Sequence, residues 1–196
     1  MVTSSNPASG KTFVSLNLAA SLALTGKRTV LLEMDLRKGS KKGKDERVLP
    51  GLTHYLSGKI TDLAQLIHPY PGFEELEVIT SGPIPPNPAE LLLGQALDDL
   101  IGQLKERYEY IVIDTVPCGM VADAPIISRV TDLCIYVIRE GLMDRRRLPD
   151  IENLYTEGRL PHLSVLLNDA RYKHAGYGYG YGYYGYGYGK NYYGYQ

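Results

Sequence analysis

Two stretches of the chain hold residues whose types and spacing imply chemistry. The first is Ser5-Asn6-Pro7-Ala8-Ser9-Gly10-Lys11-Thr12, which meets the phosphate-loop pattern G-x-x-x-x-G-K-[ST] at its informative end. Gly10 lets backbone N–H groups close around phosphate oxygens. Lys11 sets an ammonium on the β- and γ-phosphates, and the Thr12 hydroxyl is a ligand for Mg²⁺. The cradle runs from Pro7 through Ala8, Ser9 and Gly10 to Phe13, where a helix begins and points its positive end at the same anion. Ser5 replaces the first glycine of the pattern. The motif therefore rests on its place between a strand end and an amphipathic helix.

The second stretch is Tyr177 to Tyr195, YGYGYGYYGYGYGKNYYGY, in which ten tyrosines and seven glycines fill nineteen positions. The phenols are Tyr177, Tyr179, Tyr181, Tyr183, Tyr184, Tyr186, Tyr188, Tyr192, Tyr193 and Tyr195. Alternating Tyr and Gly cannot bury a core without a partner, and glycine leaves such a segment free to enter a cleft in many registers. Its bland reading is a sticky self-association element. A nucleotide site at one end and a rack of phenols at the other suggest an enzyme that carries its own phosphate acceptors.

Acidic strand ends extend the first site. TVLLEMDLR places Glu33 and Asp35 at the mouth of one strand, and YIVIDTVP places Asp114 at the end of another. Ligands of open α/β sheets bind beyond the carboxyl ends of the strands, and Mg²⁺ takes oxygen ligands, few of them from protein. The bland reading, a solvated acid closing a strand, is weakest for Asp114, which follows β-formers and precedes Pro117.

The elements that must position these residues follow from the apolar pattern. Short β-rich runs at 29–34, 76–81, 110–115, 132–139 and 163–168 lack alternation, as strands buried on both faces do. Met1-Val2-Thr3 forms a further short strand ahead of the phosphate loop. Amphipathic stretches predict helices at 11–25, 52–57, 62–67, 89–93, 95–107, 124–129 and 148–158, while the proline-rich segment 82–88 is an extended loop. Alternating strands and helices predict an α/β fold: a mostly parallel sheet sandwiched by helices. The expected organisation is one domain over 1–175 and a disordered tail over 176–196. Because a phosphate loop normally hangs from a full strand, the short start predicts a fragment cut near its first strand.

Composition excludes other classes. The 196 residues carry a net charge of −1, so no general attraction to nucleic acid is expected. No run of about 18 apolar residues is present to span a bilayer, and the start is not a signal peptide. Cys118 and Cys134 fit no metal spacing, and Cys134 within an apolar run reads as a small buried hydrophobe. They suggest a reducing cytosol. The four histidines are scattered. The run Arg37-Lys38-Gly39-Ser40-Lys41-Lys42-Gly43-Lys44 is either a solvated loop or a docking surface, and Arg145-Arg146-Arg147 reads as an exposed helix start.

Together these motifs resemble bacterial tyrosine kinases of the P-loop type, the cytoplasmic domains of capsule and exopolysaccharide co-polymerases. The family's three nucleotide motifs read here as SNPASGKT, LLEMDLR and IVIDTVP, joined by GPIPPNPAELL, DAPIISRVTD and the tyrosine-rich end. The resemblance implies a P-loop NTPase fold and an autophosphorylating protein-tyrosine kinase that uses ATP and Mg²⁺. It implies Lys11 on phosphate, Thr12, Asp35 and Asp114 around Mg²⁺, and Asn168 against the adenine base. Glu33 takes the position of the base toward the tyrosine hydroxyl, where the family has Asp. The extra methylene changes its reach by about 1.5 Å, and misplacement on that scale can lower a rate roughly a hundredfold. Ala8 stands where relatives often have Gly. The implied partners are neighbouring copies in a ring-like homo-oligomer, a membrane-spanning co-polymerase region and a tyrosine phosphatase, with no nucleic acid. The implied location is the cytoplasmic face of the bacterial inner membrane, this piece itself being soluble. Two other readings share the motif order: an ATP-driven switch resembling the partition and septum-placing ATPases, and a nucleotide-binding partner without kinase activity. The tyrosine rack separates the kinase from the switch.

Overall fold

The computed structural model describes residues 1–40 and 49–171. Seven strands form one sheet in the order β3-β4-β2-β5-β1-β6-β7. They are β1 (Val2–Ser4), β2 (Thr29–Glu33), β3 (His68–Pro69), β4 (Leu76–Ile79), β5 (Tyr110–Asp114), β6 (Cys134–Arg139) and β7 (Leu163–Asn168). All neighbours run parallel except β3, which pairs antiparallel with β4 at the edge. The expected α/β sandwich is what the chain adopts. The two-residue β3 was not foreseen; a strand containing Pro69 is confined to an edge because proline cannot donate to a ladder.

Helix α1 (Lys11–Leu24) lies on one face of the sheet, and α2 (Leu52–Leu56), α3 (Pro88–Leu93), α4 (Gln95–Lys105), α5 (Asp123–Ser128) and α6 (Leu148–Thr156) complete the fold. Alternation along β2 and β5 sorts the two faces. Leu31 and Val112 meet α1, whereas Val30, Leu32 and Ile113 join the larger core opposite. Along α1 the buried positions are Ser15, Ala19 and Ala23, small residues spaced by four that let the helix approach the sheet. On the other side, α4 buries Leu97, Leu100, Ile101 and Leu104, a full amphipathic stripe. The helix expected over 62–67 is only a 3₁₀ turn at Leu63–Gln65, opened by the Asp62 carboxylate accepting from Ala64 N–H. The expected tail segment and Lys41, Lys42 and Lys44 lie outside the described residues.

Residues on either side of segment 41–48 are pinned to the turn after β4. Ser40 exchanges hydrogen bonds with Gly82, its N–H donating at 2.8 Å and its hydroxyl accepting at 2.7 Å. Leu52 N–H donates to Thr80 O at 2.8 Å. This approach needs a bare backbone, because a Cβ on Gly51 would sit 2.4 Å from both Gly82 N and Thr80 O. Gly51→Ala is therefore expected to destabilise the chain by about 1–3 kcal/mol, the range for forced overpacking. Urea unfolding would show this as a lower midpoint at unchanged slope.

Candidate active site

The phosphate loop leaves the carboxyl end of β1, which lies between β5 and β6. Gly10 precedes α1 in the left-handed conformation, with φ of 92°. No side chain caps the helix and no acid occupies its first turn, so its first N–H groups stay available to an anion. A Cβ on Gly10 would fall 2.2 Å from Asn168 Nδ2. The loop thus admits only glycine there, with β7 closing over it. Asn168 Nδ2 donates to Ser9 O at 3.0 Å.

Asp114 is the polar centre of the site. It ends β5, is 7% exposed, and accepts from the Thr12 hydroxyl at 2.6 Å and the Ser15 hydroxyl at 3.2 Å. Its register partner across the β2–β5 ladder is Glu33, so the two acids share the face that meets α1. Burial pushes the Asp114 carboxyl above the ordinary aspartate range, opposed by the two hydroxyls and by Lys11. Lys11 answers in kind: burial lowers its ammonium, while Asp114 and Asp35 pull it back up. Asp35 Oδ1 accepts from the N–H groups of Arg37 and Lys38, both at 3.2 Å, which folds its loop over the strand end.

A cavity of about 910 Å³ brings most of the expected residues together. Pro7, Ala8, Gly10, Lys11, Thr12 and Phe13 line one part of it, with Glu33, Asp35 and Asp114 beside them. Ser9 is buried behind that surface, its hydroxyl donating to Asn6 O at 2.9 Å. Asn168 braces the loop from behind through Ser9 and does not line the cavity. The tail tyrosines lie outside the described residues.

Three contributors escaped the sequence reading. Ser15 lies one helical turn after Thr12 and supplies the second hydroxyl to Asp114; its spacing was the available signal. Arg37 forms a two-pronged pair with Asp123, Nε to Oδ2 and Nη2 to Oδ1 both at 2.8 Å. The Asp123 side chain is 1% exposed, so this pair ties the Asp35 loop to α5. Arg139 donates to Ala8 O at 3.0 Å and pairs with Asp169. Ala8 has φ of 57°, a left-handed conformation that explains why glycine suits this position and that Arg139 helps to hold.

A glycine-gated loop at the end of a central parallel strand, a Lys-Thr pair at a helix start and an acid closing a nearby strand define a P-loop nucleotide-binding protein. No protein-family model matches the chain. Over 172 residues it is 38% identical to the tyrosine-protein kinase CpsD of Streptococcus pneumoniae, an alignment covering 85% of this chain and 74% of that kinase. It is 33% identical over 186 residues to the tyrosine-protein kinase Wzc of Salmonella typhimurium, covering 94% of this chain and 26% of that protein. The solved kinase domain of the Escherichia coli tyrosine kinase ETK superposes with a TM-score of 0.74 at 31% identity, covering 93% of this chain and 71% of that one. The chain belongs to the bacterial tyrosine kinases of the P-loop type, and it is a protein-tyrosine kinase.

The raised pKa of Asp114 has a consequence for stability. Its folded form holds the proton more tightly than the unfolded chain does, so stability falls as pH rises through that raised pKa. Asp114→Asn, neutral throughout, is expected to raise the melting temperature of the nucleotide-free chain at neutral pH, by about 2–4 °C for each kcal/mol recovered. The gain should shrink as pH falls and the wild-type carboxyl protonates. Calorimetry across pH checks this, and a lower melting temperature at neutral pH would mean that the Thr12 and Ser15 bonds outweigh burial.

Proposed function

We propose that the cavity binds ATP with Mg²⁺ and transfers the γ-phosphoryl group to tail tyrosines of neighbouring copies, in capsule or exopolysaccharide synthesis. The observation that carries this reading is the single cavity shared by Lys11, Thr12, Asp114 and Glu33. Bound MgATP would supply the phosphoryl group and neutralise part of its charge. Lys11 and the N-terminal amides of α1 would hold the phosphates, and Thr12, Asp35 and Asp114 would hold the metal directly or through water. This donor set fits Mg²⁺, which takes one or two carboxylates plus phosphate oxygens rather than a closed protein cage. Glu33 would orient the incoming phenol and take its proton as the Oη–P bond forms and the bridging P–O bond breaks. Because phosphoryl transfer depends on positioning and electrostatics, such an arrangement suffices without a covalent intermediate. Asn168 is not part of the cavity lining, so it would meet the adenine base only where the base extends past the loop, with the amide atoms not spent on Ser9.

The proposed assembly follows from the same chemistry. A domain spanning about 1–175 would carry the tyrosine tail into the cleft of an adjacent copy in a ring-like oligomer. A membrane-spanning co-polymerase region would hold the array at the cytoplasmic face of the inner membrane, and a tyrosine phosphatase would reset it. Among the described residues, no helix is long and apolar enough to cross a membrane. Each phosphotyrosine adds about −1.5 to −2 charges, so modification of the tail would add on the order of −15 to −20 per chain. Repeated around a ring, that charge favours dissociation.

Lys11→Met is expected to abolish phosphotyrosine formation, because a neutral thioether cannot hold the phosphates; phosphotyrosine immunoblotting after incubation with ATP and Mg²⁺ checks it. Glu33→Asp should retain or raise the rate, while Glu33→Gln should lower it roughly 10²-fold or more, the usual contribution of a general base. A Gln variant as fast as wild type would remove Glu33 from proton transfer. Mixing the Lys11→Met chain with an active chain truncated after Ala175 should place phosphate on the inactive chain's tail. An unlabelled tail would rule out transfer between molecules.

A further inference from the structure

The two edges of the sheet are protected unequally. At one edge, β3 is two residues long and carries Pro69, features that blunt an edge against further pairing. At the other lies β7, six residues reading Leu163-Ser164-Val165-Leu166-Leu167-Asn168, with no proline and no charge. Val165 is 55% exposed and Leu167 58% exposed, and their spacing puts both on one face of the strand. Among the described residues, no strand pairs with that outer edge.

The backbone of these residues faces the same way. Cys134 N–H donates to His162 O at 3.2 Å and Glu140 N–H to Asn168 O at 3.0 Å, so the even-numbered residues of β7 turn toward β6. By the alternation of a ladder, the N–H and C=O groups of Leu163, Val165 and Leu167 point to the outer side. The edge thus offers a row of backbone donors and acceptors beside two exposed apolar side chains, which is a template for one more strand.

We propose that the Tyr-Gly segment of the same chain adds to β7 as an antiparallel strand, with Tyr177–Tyr183 along its outer edge. The alternation of that segment has a period of two, so in extended form its tyrosines share one face and bare glycine fills the other. Antiparallel pairing sets the row of phenols beside Val165 and Leu167, where aromatic and aliphatic side chains on neighbouring strands attract. The tether reaches. Asp169, with φ of 55°, turns the chain sharply after β7, and Arg171 N–H donates to the Glu140 carboxylate just past the end of β6. From there, residues 172–176 span about 16 Å when extended, against about 10 Å for the two strand spacings from β6 to an added strand. A tethered segment meets the edge at an effective concentration on the order of millimolar, ahead of any separate molecule. Glycine weakens a strand, so the addition is reversible. Tyrosines held on the edge are withheld as phosphate acceptors, a consequence that rests on the kinase reading above.

The test is amide hydrogen exchange, read residue by residue in the nucleotide-free full chain and in a chain truncated after Ala175. The N–H groups of Val165 and Leu167 should exchange roughly tenfold more slowly, or slower still, in the full chain. Two variants should return them to the truncated chain's rate. Val165→Lys charges the edge at an exposed position, and Gly180→Pro/Gly187→Pro interrupts both Tyr-Gly runs while leaving the folded domain untouched. Val165→Lys should also speed phosphorylation of the tail in the presence of ATP and Mg²⁺. Equal exchange in the full and truncated chains would overturn the added strand. So would protection that fades on dilution, which would assign the edge to a second copy. Protection lost in Val165→Lys with no change in the phosphorylation rate would overturn the withholding of acceptors. Failure of the kinase reading looks different: the protection would be present and no phosphotyrosine would form.

Discussion

The site depends on one buried carboxylate. Asp114 sits at the end of β5 with two hydroxyl donors from α1 standing in for water. Those bonds fix the first turn of α1 against the sheet, and that turn carries Lys11 and Thr12. The contact is possible because α1 meets the sheet through Ser15, Ala19 and Ala23; a larger residue at position 15 would lift the helix and part Thr12 from Asp114. Leaving a carboxylate in such a place works against folding, since burial disfavours the charged form. The chain tolerates that opposition at the wall of the cavity it shares with Lys11 and Thr12.

Around this centre, loops at the strand ends are tied down by polar side chains that come from distant parts of the sequence. Arg37 holds the Asp35 loop to α5 through Asp123, Arg139 holds Ala8 to the β6–β7 end, and Asn168 closes on Ser9. The Arg37–Asp123 pair is the most constrained, because its carboxylate is buried and would be left uncompensated without the guanidinium. Two-pronged geometry gives it direction as well as attraction. The loops therefore present their functional atoms from a braced frame, which suits a reaction driven by positioning.

Much of this was legible in the residues themselves. The longer sheet strands were visible as β-rich apolar runs, and most residues that line the cavity were picked out because their motif joins local chemistry to local structure. What escaped were contacts made across the sequence. Arg37 lies next to lysines and reads as part of a solvated run until the fold sets Asp123 opposite it. Ser15 reads as an ordinary helix residue until Asp114 arrives from a strand about a hundred residues later. The stretch 62–67 stays a single 3₁₀ turn for a local reason: Asp62 caps its start, but the chain enters the short strand β3 at His68 before a second turn can form.

The longer acid at position 33 can be weighed in the same terms. Glu33 and Asp114 are opposite one another in the ladder, so two carboxylates share one face at the sheet's end. An Asp at position 33 would hold its carboxylate about one C–C bond nearer the backbone, about 1.5 Å, and nearer Asp114's strand. The longer side chain carries its charge further from the backbone into the cavity that both acids line. Asp114 meanwhile keeps its hydroxyl donors and its place beside Lys11. Under the proposed function, the two acids would divide their tasks: the buried one would serve phosphate and metal, and Glu33 the phenol.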